Sequence, residues 1–598
     1  MMDVGRHPNI NLMTLSEVEN ITGYIGNFNV KVRKKNRVVN EKECTACGEC
    51  VSVCPVIVPN EYEQGLNSRK AIYIPYAQAV PSSYLIDTKN CLGYNTSIAC
   101  GKCIEKCEKH CINFDTKDEI IEFKVGTVIV ATGMDVFDPT ELQEYGYTRY
   151  KNVLTTMELE RLLNASGPTN GHLIRLSDRK TPKRIGFIQC IGSRSEKRGN
   201  PYCSNICCMN TIKNSLLIKE HYPDTEIIVF YMDIRAFGKG FEDLYRRSKA
   251  MGVKYIRGIP GEIEENPETK NLFVIVENTQ TNKLEKYEFD IMVLSIGVIP
   301  RKDSKLVQQL LTLSLTSDGF FAEAHPKLKP VDAVTQGVFF AGCVESPKDI
   351  KDSVTQASAA AARAGILMQQ GKVKVEAITA YVDESKCTSC GMCVRVCPYN
   401  AIIVEKETKK PARVIEASCH GCGTCAAECK FDAIITKHFT DIQLLAQVDA
   451  ATEIDAEKNI LAFCCNWCSY AGADNAGVAR LQYPSNIRVI RTMCSGRVAE
   501  KFIWRAFERG APIVWVTGCH FGDCHYIDAN HWTDKRIKRM WKLMEKKGIR
   551  KERLQLDWIS AAEGSIFARR VYELQDLLTS VTQEEIEETK KILSKNKD

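Results

Sequence analysis

The run Cys387-x2-Cys390-x2-Cys393-x3-Cys397-Pro398, answered by Cys419-x2-Cys422-x2-Cys425-x3-Cys429, constrains this chain more than any other feature. Three thiolates so closely spaced wrap three corners of one iron–sulfur cube, and soft sulfur ligands select such clusters. In two-cluster ferredoxins the fourth cysteine of each run ligates the other cube. That crossing predicts one [4Fe-4S] centre on Cys387, Cys390, Cys393 and Cys429, and a second on Cys419, Cys422, Cys425 and Cys397. A zinc ribbon uses cysteine pairs rather than these quartets. The same logic recurs upstream with one departure. Cys44-x2-Cys47-x2-Cys50-x3-Cys54-Pro55 is regular, whereas Cys91-x8-Cys100-x2-Cys103-x3-Cys107 has a longer first spacing (LGYNTSIA). By the same crossing Cys107 joins Cys44, Cys47 and Cys50, and Cys54 joins Cys91, Cys100 and Cys103. Cys111 stands where ferredoxins carry a small apolar residue and is read as a buried thiol.

The chain carries 28 cysteines in 598 residues. Its beginning, MMDVGRHPNINLMTLSE, has no basic segment followed by an apolar core, so no secretory signal is expected and the protein is expected in the cytoplasm. In a reducing compartment, dense cysteine usage points to metal and redox chemistry rather than to disulfides. No stretch approaches the ~18 apolar residues of a membrane span. The net charge is +6, with no basic run interleaved with aromatics, so nucleic acid is not an expected partner.

Two cysteine-rich segments interrupt an α/β pattern. We expect residues 1–40 and 119–378 to form a flavin-binding body, 41–118 an inserted two-cluster ferredoxin domain, and 379–445 a second one. Residues 455–580 form a further α/β domain in which single cysteines follow short apolar strands, and 581–598 a charged helix. Within the body, Cys190, Cys203, Cys207 and Cys208 (PYCSNICCMN) suffice for a fifth cluster. Spacing alone also allows a structural zinc or inert buried thiols there.

Three segments carry a flavoprotein pattern of strand, glycine, then helix: VGTVIVATGMD with Thr132 and Gly133, DIMVLSIGVIPR with Gly297, and QGVFFAGCVESPKDIKDSVTQASAAAARAG with Gly342. A strand feeding a glycine and a helix amino terminus is a device for holding a phosphate or a flavin edge. Their order resembles the two-dinucleotide-domain flavoproteins of the thioredoxin-reductase type. The expected fold class is therefore multidomain α/β: that body, two ferredoxin modules of the α+β type with two [4Fe-4S] clusters each, and a carboxy-terminal α/β [2Fe-2S] domain. No G-x-G-x-x-G occurs in the chain, which opens on DVGRHPNINLMT instead. Cys190, in RIGFIQCIGSRSEKRG, stands in the turn that would cradle a nicotinamide nucleotide, so direct NAD(P)H oxidation is not expected.

At VGRHPNI, SEVENITGYIGNFNVKVRKK, the run at Cys44, FIQCIGSR with PYCSNICC, and FAGCVESPKDIKDSVTQA, the sequence resembles the A subunit of heterodisulfide reductase, over residues 1 to about 450. The resemblance implies a cubane on Cys190, Cys203, Cys207 and Cys208 near the flavin. It implies FAD contacts at Thr132, Gly133 and Gly342, with Cys343 where thioredoxin reductases carry aspartate. It places Gln356 and Ala357 where related enzymes set a helix amino terminus against the isoalloxazine. Lys213 is a candidate for the flavin's reactive edge and equally a surface charge. Relative to that family the amino-terminal glycine fingerprint is missing, so the FAD site is expected to be shared with a second chain that supplies it.

FCCNWCSYAGAD, RVIRTMCSGRV and APIVWVTGCHFGDCHY resemble the delta subunit of methyl-viologen-reducing hydrogenase, which implies one [2Fe-2S] cluster. Its candidate ligands are Cys465, Cys468, Cys494, Cys519 and Cys524, with Cys464 the first to exclude; His520 and His525 are read as hydrogen-bonding residues. The totals are FAD, five [4Fe-4S] clusters and one [2Fe-2S] cluster. Implied partners are heterodisulfide reductase B- and C-like subunits, ferredoxin, and a hydrogenase, formate dehydrogenase or similar donor module at the carboxy-terminal domain, in a dimer of heteromers. The expected function is flavin-based electron bifurcation or confurcation between donor, ferredoxin and a CoM-S-S-CoB-type heterodisulfide, an oxidoreductase activity related to methanogenesis. The alternatives are a non-catalytic electron wire and an NAD(P)H-dependent flavin oxidoreductase of the glutamate-synthase small-subunit type.

Overall fold

The structure is a computed structural model and describes every residue except 1, 95, 97, 199, 375–376, 406–408 and 595–598, and the side chains of 2 and 198. Its central feature is a five-stranded, all-parallel sheet in the order Val153–Thr155, Ile291–Ile296, Arg184–Ile191, Glu226–Tyr231, Lys254–Arg257. Parallel strands are covered on both faces and read as near-continuous apolar runs, and every residue of Ile291–Ile296 is buried. Alternation then sends successive side chains to opposite cores. Ile188, Ile228, Phe230, Met292 and Leu294 pack under an antiparallel meander through Leu272, Val274, Val276 and Phe289. Phe187, Ile227, Val229, Ile291 and Val293 pack against Leu159, Leu162 and Ile218 of two covering helices.

A second sheet runs Glu323–His325, Lys329–Ala333, Val338–Phe340, Val128–Val130, its last pair parallel. The helix Ile350–Gln370 lies across it through Ala360 and Ala364. Beside it, Ser16–Tyr24, Asn27–Lys34 and Glu119–Val125 form an antiparallel sheet. Asn27–Lys34 and Glu119–Val125 pair from Phe28↔Val125 to Lys34↔Glu119. The first cysteine-rich segment therefore leaves and re-enters the body between two hydrogen-bonded neighbours.

Each cysteine-rich segment is built on two-stranded ribbons and two short helices. Glu49–Ser52 and Lys102–Lys106 bury Cys50 and Cys103; Met392–Arg395 and Thr424–Ala427 bury Cys393 and Cys425. The carboxy-terminal segment holds four parallel strands in the order Ile487–Thr492, Ile460–Cys465, Ile513–Gly518, Leu554–Trp558, with cores on both faces. The charged helix expected over 581–598 spans Gln583–Ser594; it packs Ile586 and Leu593 inward, and its last four residues lie outside the described residues. Among the described residues, no helix is long and apolar enough to cross a membrane.

The second cysteine-rich segment and the carboxy-terminal segment share a buried seam. Arg536, with no exposed side-chain surface, donates to Glu428 Oε1 at 2.9 Å and to the carbonyls of Gly496 and Val498 at 3.1 and 2.7 Å. Arg497, equally buried, donates from Nε to the Phe439 carbonyl at 3.0 Å and pairs with Asp441. A Cβ on Gly496 would collide with Thr424 Oγ1, and one on Gly423 with the Arg497 side chain. The absence of two side chains lets the Cys494–Arg497 turn reach the cysteine loop.

Candidate functional site: thiolate quartets along one chain

The structure closes four cavities around quartets drawn from separate parts of the sequence. Cys387, Cys390 and Cys393 share a cavity with Cys429, while Cys419, Cys422 and Cys425 share one with Cys397. In the first segment, Cys91, Cys100 and Cys103 share one with Cys54. The remaining thiols, Cys44, Cys47, Cys50 and Cys107, stand with Cys111, whose Sγ is 3.5 Å from that of Cys107. Cys111 is buried beside Cys44 and Cys107, so five thiols crowd this site. The fourth cavity is lined by Cys190, Cys203, Cys207 and Cys208.

These donor sets fit a cationic cluster. Burial, then the neighbouring thiols, pushes Cys50 up to about 12, Cys393 to about 11, Cys422 to about 12 and Cys207 to about 12. A thiol raised in this way becomes a thiolate beside three others only when bound metal offsets the charge. Main-chain N–H groups already point at the sulfurs: Ala412 to Cys387 and Ala380 to Cys419 at 3.3 Å, Ala433 to Cys429 and Asn205 to Cys203 at 3.4 Å. Such donors orient ligands and favour their charged form.

The Cys190 site is held by local strain and by two guanidinium groups. Cys190, next to last in its strand, has φ 61°, a left-handed conformation rare for a side-chain-bearing residue, where the ladder to Ile291–Ile296 slips register. The helix Cys207–His221 opens with two ligating candidates in its first turn. Arg194 and Arg235 line the same cavity, and Arg194 is paired with Asp233. Sequence reasoning missed both arginines and Asp233. Arg194 lies within the quoted FIQCIGSR, but its approach to Cys190 is made by the fold.

Asn205 Nδ2 donates to the Pro347 carbonyl at 3.2 Å, tying this site to the loop after Gly342. Gly342 has φ 76°, and its N–H donates to Gln356 Oε1 at 2.7 Å, while Gln356 Nε2 donates to Glu345 Oε2 at 2.7 Å. Lys348 pairs with the same carboxylate. Thr132 and Gly133 follow the adjacent parallel strand, so both turns open at the carboxyl edge of one sheet, where such folds bind ligands. Thr132 is exposed at this edge, and Gly133, Gly342 and Cys343 are partly exposed, so a flavin would have an open edge to lie against. Cys343 Sγ donates to the Lys348 carbonyl at 3.3 Å.

One placement corrects the sequence reading. The helix expected to begin at Gln356 and Ala357 begins at Ile350, because Asp349 caps it by accepting from the Asp352 N–H at 2.7 Å. Gln356 is thus buried in its second turn and braces the Gly342 loop, while Ala357 is exposed. Lys213 is half-exposed, with both carboxylate oxygens of Glu160 at 2.5 and 2.7 Å. Among the described residues, nothing joins it to the Gly342 loop.

In the carboxy-terminal segment the sulfurs of Cys465, Cys468 and Cys519 lie within 4.8 Å of one another. Cys524 stands between Cys519 on one side and Cys494 on the other. Cys464 points to the other face of its strand, in the core with Ala462, Trp515 and Phe567. His520 is paired with Glu563 at 2.8 Å, and His525 is stacked on Trp467 at 4.0 Å.

The family model of the methyl-viologen-reducing hydrogenase delta subunit matches residues 460–581, and that of the 4Fe-4S binding domain matches 37–56 and 380–403. The A subunit of the Ferredoxin/F(420)H(2)-dependent CoB-CoM heterodisulfide reductase of Methanosarcina acetivorans is 44% identical over 96% of this chain and 71% of its own length. The A subunit of the H(2):CoB-CoM heterodisulfide,ferredoxin reductase of Methanothermobacter marburgensis is 50% identical over 77% of this chain and 68% of its own. An iron-sulfur A subunit of the CoB--CoM heterodisulfide reductase of Methanopyrus kandleri is 53% identical over 75% and 68%. Among solved structures, the thioredoxin reductase of T. acidophilum aligns with 42% of this chain and 69% of its own at 12% identity and a TM-score of 0.26, too distant to argue from.

Proposed function

Since the chain belongs to the family of heterodisulfide reductase A subunits, we propose that it takes electron pairs from a donor enzyme and distributes them singly. Its acceptors would be a ferredoxin-type protein and a partner that reduces a CoM-S-S-CoB-type heterodisulfide. The observation that carries this reading is the crossed cysteine: Cys429, Cys397 and Cys54 each close the cavity of the other run. Three other quartets, or near-quartets, lie on the same chain, and a single structural metal needs only one.

The proposed ligand sets are Cys44/Cys47/Cys50/Cys107, Cys91/Cys100/Cys103/Cys54, Cys190/Cys203/Cys207/Cys208, Cys387/Cys390/Cys393/Cys429 and Cys419/Cys422/Cys425/Cys397 for [4Fe-4S] centres. For a [2Fe-2S] centre the set is Cys465/Cys468/Cys519/Cys524, with Cys494 as a neighbouring thiol. A bound flavin supplies the exchange between electron pairs and single electrons, and the clusters supply one-electron steps. The chain's residues set where these groups stand. The Gly342 loop, braced by Gln356 and Glu345, holds the flavin edge, and Asn205 ties it to the Cys190 site. Arg194 and Arg235 lower the cost of adding negative charge at that site. The carboxy-terminal segment, joined to the second ferredoxin segment through Arg536 and Arg497, is the entry for electrons from a hydrogenase- or formate-dehydrogenase-like donor.

The test is anaerobic purification of the complex with iron and sulfide analysis and EPR. Cys429→Ala should remove the signal and about four irons of the Cys387 centre while the Cys419 centre persists. Loss of the Cys419 signal instead, or zinc in place of iron, overturns the assignment.

A further inference from the structure

Tyr399 is a buried phenol whose oxygen meets no acceptor. It follows Cys397-Pro398, is 7% exposed, and among the described residues its hydroxyl makes no hydrogen bond. Its ring is stacked on His420 at 4.0 Å between centroids and 21° between planes, which fixes where the hydroxyl points. Asn400, the next residue, donates to Thr312 Oγ1 at 2.7 Å and anchors the loop to the flavin body. The side chain lines the cavity of Cys397, Cys419, Cys422 and Cys425, and it shares a packed cluster with Cys494 and Tyr526, against which Cys524 also sits. The hydroxyl therefore stands at the junction of two proposed metal centres.

A buried hydroxyl that finds no acceptor bears the full cost of leaving water. Removing the oxygen would cost nothing in packing, yet the chain has tyrosine here. A cluster carries sulfur acceptors on every face, and the cavity this ring lines is the site of one. We infer that the Tyr399 hydroxyl donates a hydrogen bond to a sulfur of the centre held by Cys397, Cys419, Cys422 and Cys425, on its side facing the carboxy-terminal centre, and raises that centre's reduction potential. Reduction adds negative charge to the cluster, so a fixed donor dipole is worth more to the reduced state than to the oxidised one. With both centres bound, the higher potential would favour an electron residing on this cubane, within the second ferredoxin segment, over the carboxy-terminal centre. The inference rests on the ligand sets proposed above.

The experiment is an EPR-monitored redox titration of the full chain in its complex, with Tyr399→Phe against the wild type. Cys425→Ser first identifies the signal of the centre concerned. With unchanged iron and sulfide, the phenylalanine variant should titrate that one signal at a more negative potential and leave the others in place. A full-iron variant with no shift, or with the shift in the binuclear signal alone, overturns the inference. If the variant loses the centre, 3-fluorotyrosine at position 399, a stronger donor on the same ring, must move the signal positive, and an unmoved signal overturns it equally. If Cys425→Ser perturbs no cluster signal, the ligand set itself has failed, a result distinct from either.

Discussion

Cys464 and Cys465 are adjacent, yet the strand sends them to opposite faces, and that parity decides their chemistry. Cys464 is fully buried among Ala462, Trp515 and Phe567, and burial pushes its thiol up to about 12. Cys465 stands with Cys468 and Cys519. Cys464→Ala should leave the iron content unchanged and cost about 1 kcal/mol of stability, as a small void in a close-packed core does. Cys519→Ser should remove the binuclear signal. Iron analysis, EPR and thermal melting of the two variants check both outcomes. The pair at Cys107 and Cys111 poses the same question with less help from parity, because the two sulfurs lie 3.5 Å apart at one site. Cys111→Ser should keep every cluster signal while Cys107→Ser loses one. Thiolate spacing is local and legible in a sequence, which is why the ferredoxin-type runs stand out without coordinates, whereas spacing alone did not choose among the carboxy-terminal thiols. Arg194, Asp233 and Tyr399 were not legible as site residues, since nothing in their own sequence neighbourhood says which sulfur they meet.

Among elements, the seam between the Cys494–Arg497 turn and the helix Thr424–Ala427 depends on what is missing from Gly496. A methyl group there meets Thr424 Oγ1 and Ala529, both held by surrounding packing. Gly496→Ala should therefore cost about 1–3 kcal/mol, as overpacked core positions do, and loosen the two segments. Glu428→Ala acts on the same seam by charge. It leaves Arg536 fully buried with its carboxylate removed, a loss of about 3–5 kcal/mol. Differential scanning calorimetry with limited proteolysis between the two segments separates local loosening from global unfolding. The start of the helix Ile350–Gln370 shows what sequence order leaves open. The amino terminus expected at Gln356 lies at Asp349, a capping residue sitting in plain view in ESPKDIKDS. The glycine-to-helix distance was assumed from related enzymes, whereas a capping side chain fixes it here.

Across the whole molecule, the segments differ in what holds them together. The parallel sheet around Ile291–Ile296 and the carboxy-terminal sheet each have two apolar cores of their own. The first cysteine-rich segment has a core in which Cys50, Cys103 and Cys111 stand beside Val38, Val39, Ile72, Ile86 and Ile112, with further cysteines packed around it. A small unit with few aliphatic residues and several ligand sulfurs in and around its core buries too little apolar surface to fold alone, so metal binding supplies much of its folding free energy. The central strands of the two sheets were readable as short apolar runs ahead of a glycine or a cysteine, but this division of stability was not, because it depends on which side chains share one interior. Removing iron under anaerobic conditions with a strong chelator should thus act unevenly. Residues 41–118 should become open to proteases, while fragments spanning 184–296 and 460–579 stay protected. The strands Asn27–Lys34 and Glu119–Val125 should outlast the insertion, since their ladder closes beneath it. Mass spectrometry of the fragments reads the order directly, and uniform digestion of the whole chain would mean that the clusters stabilise every segment alike.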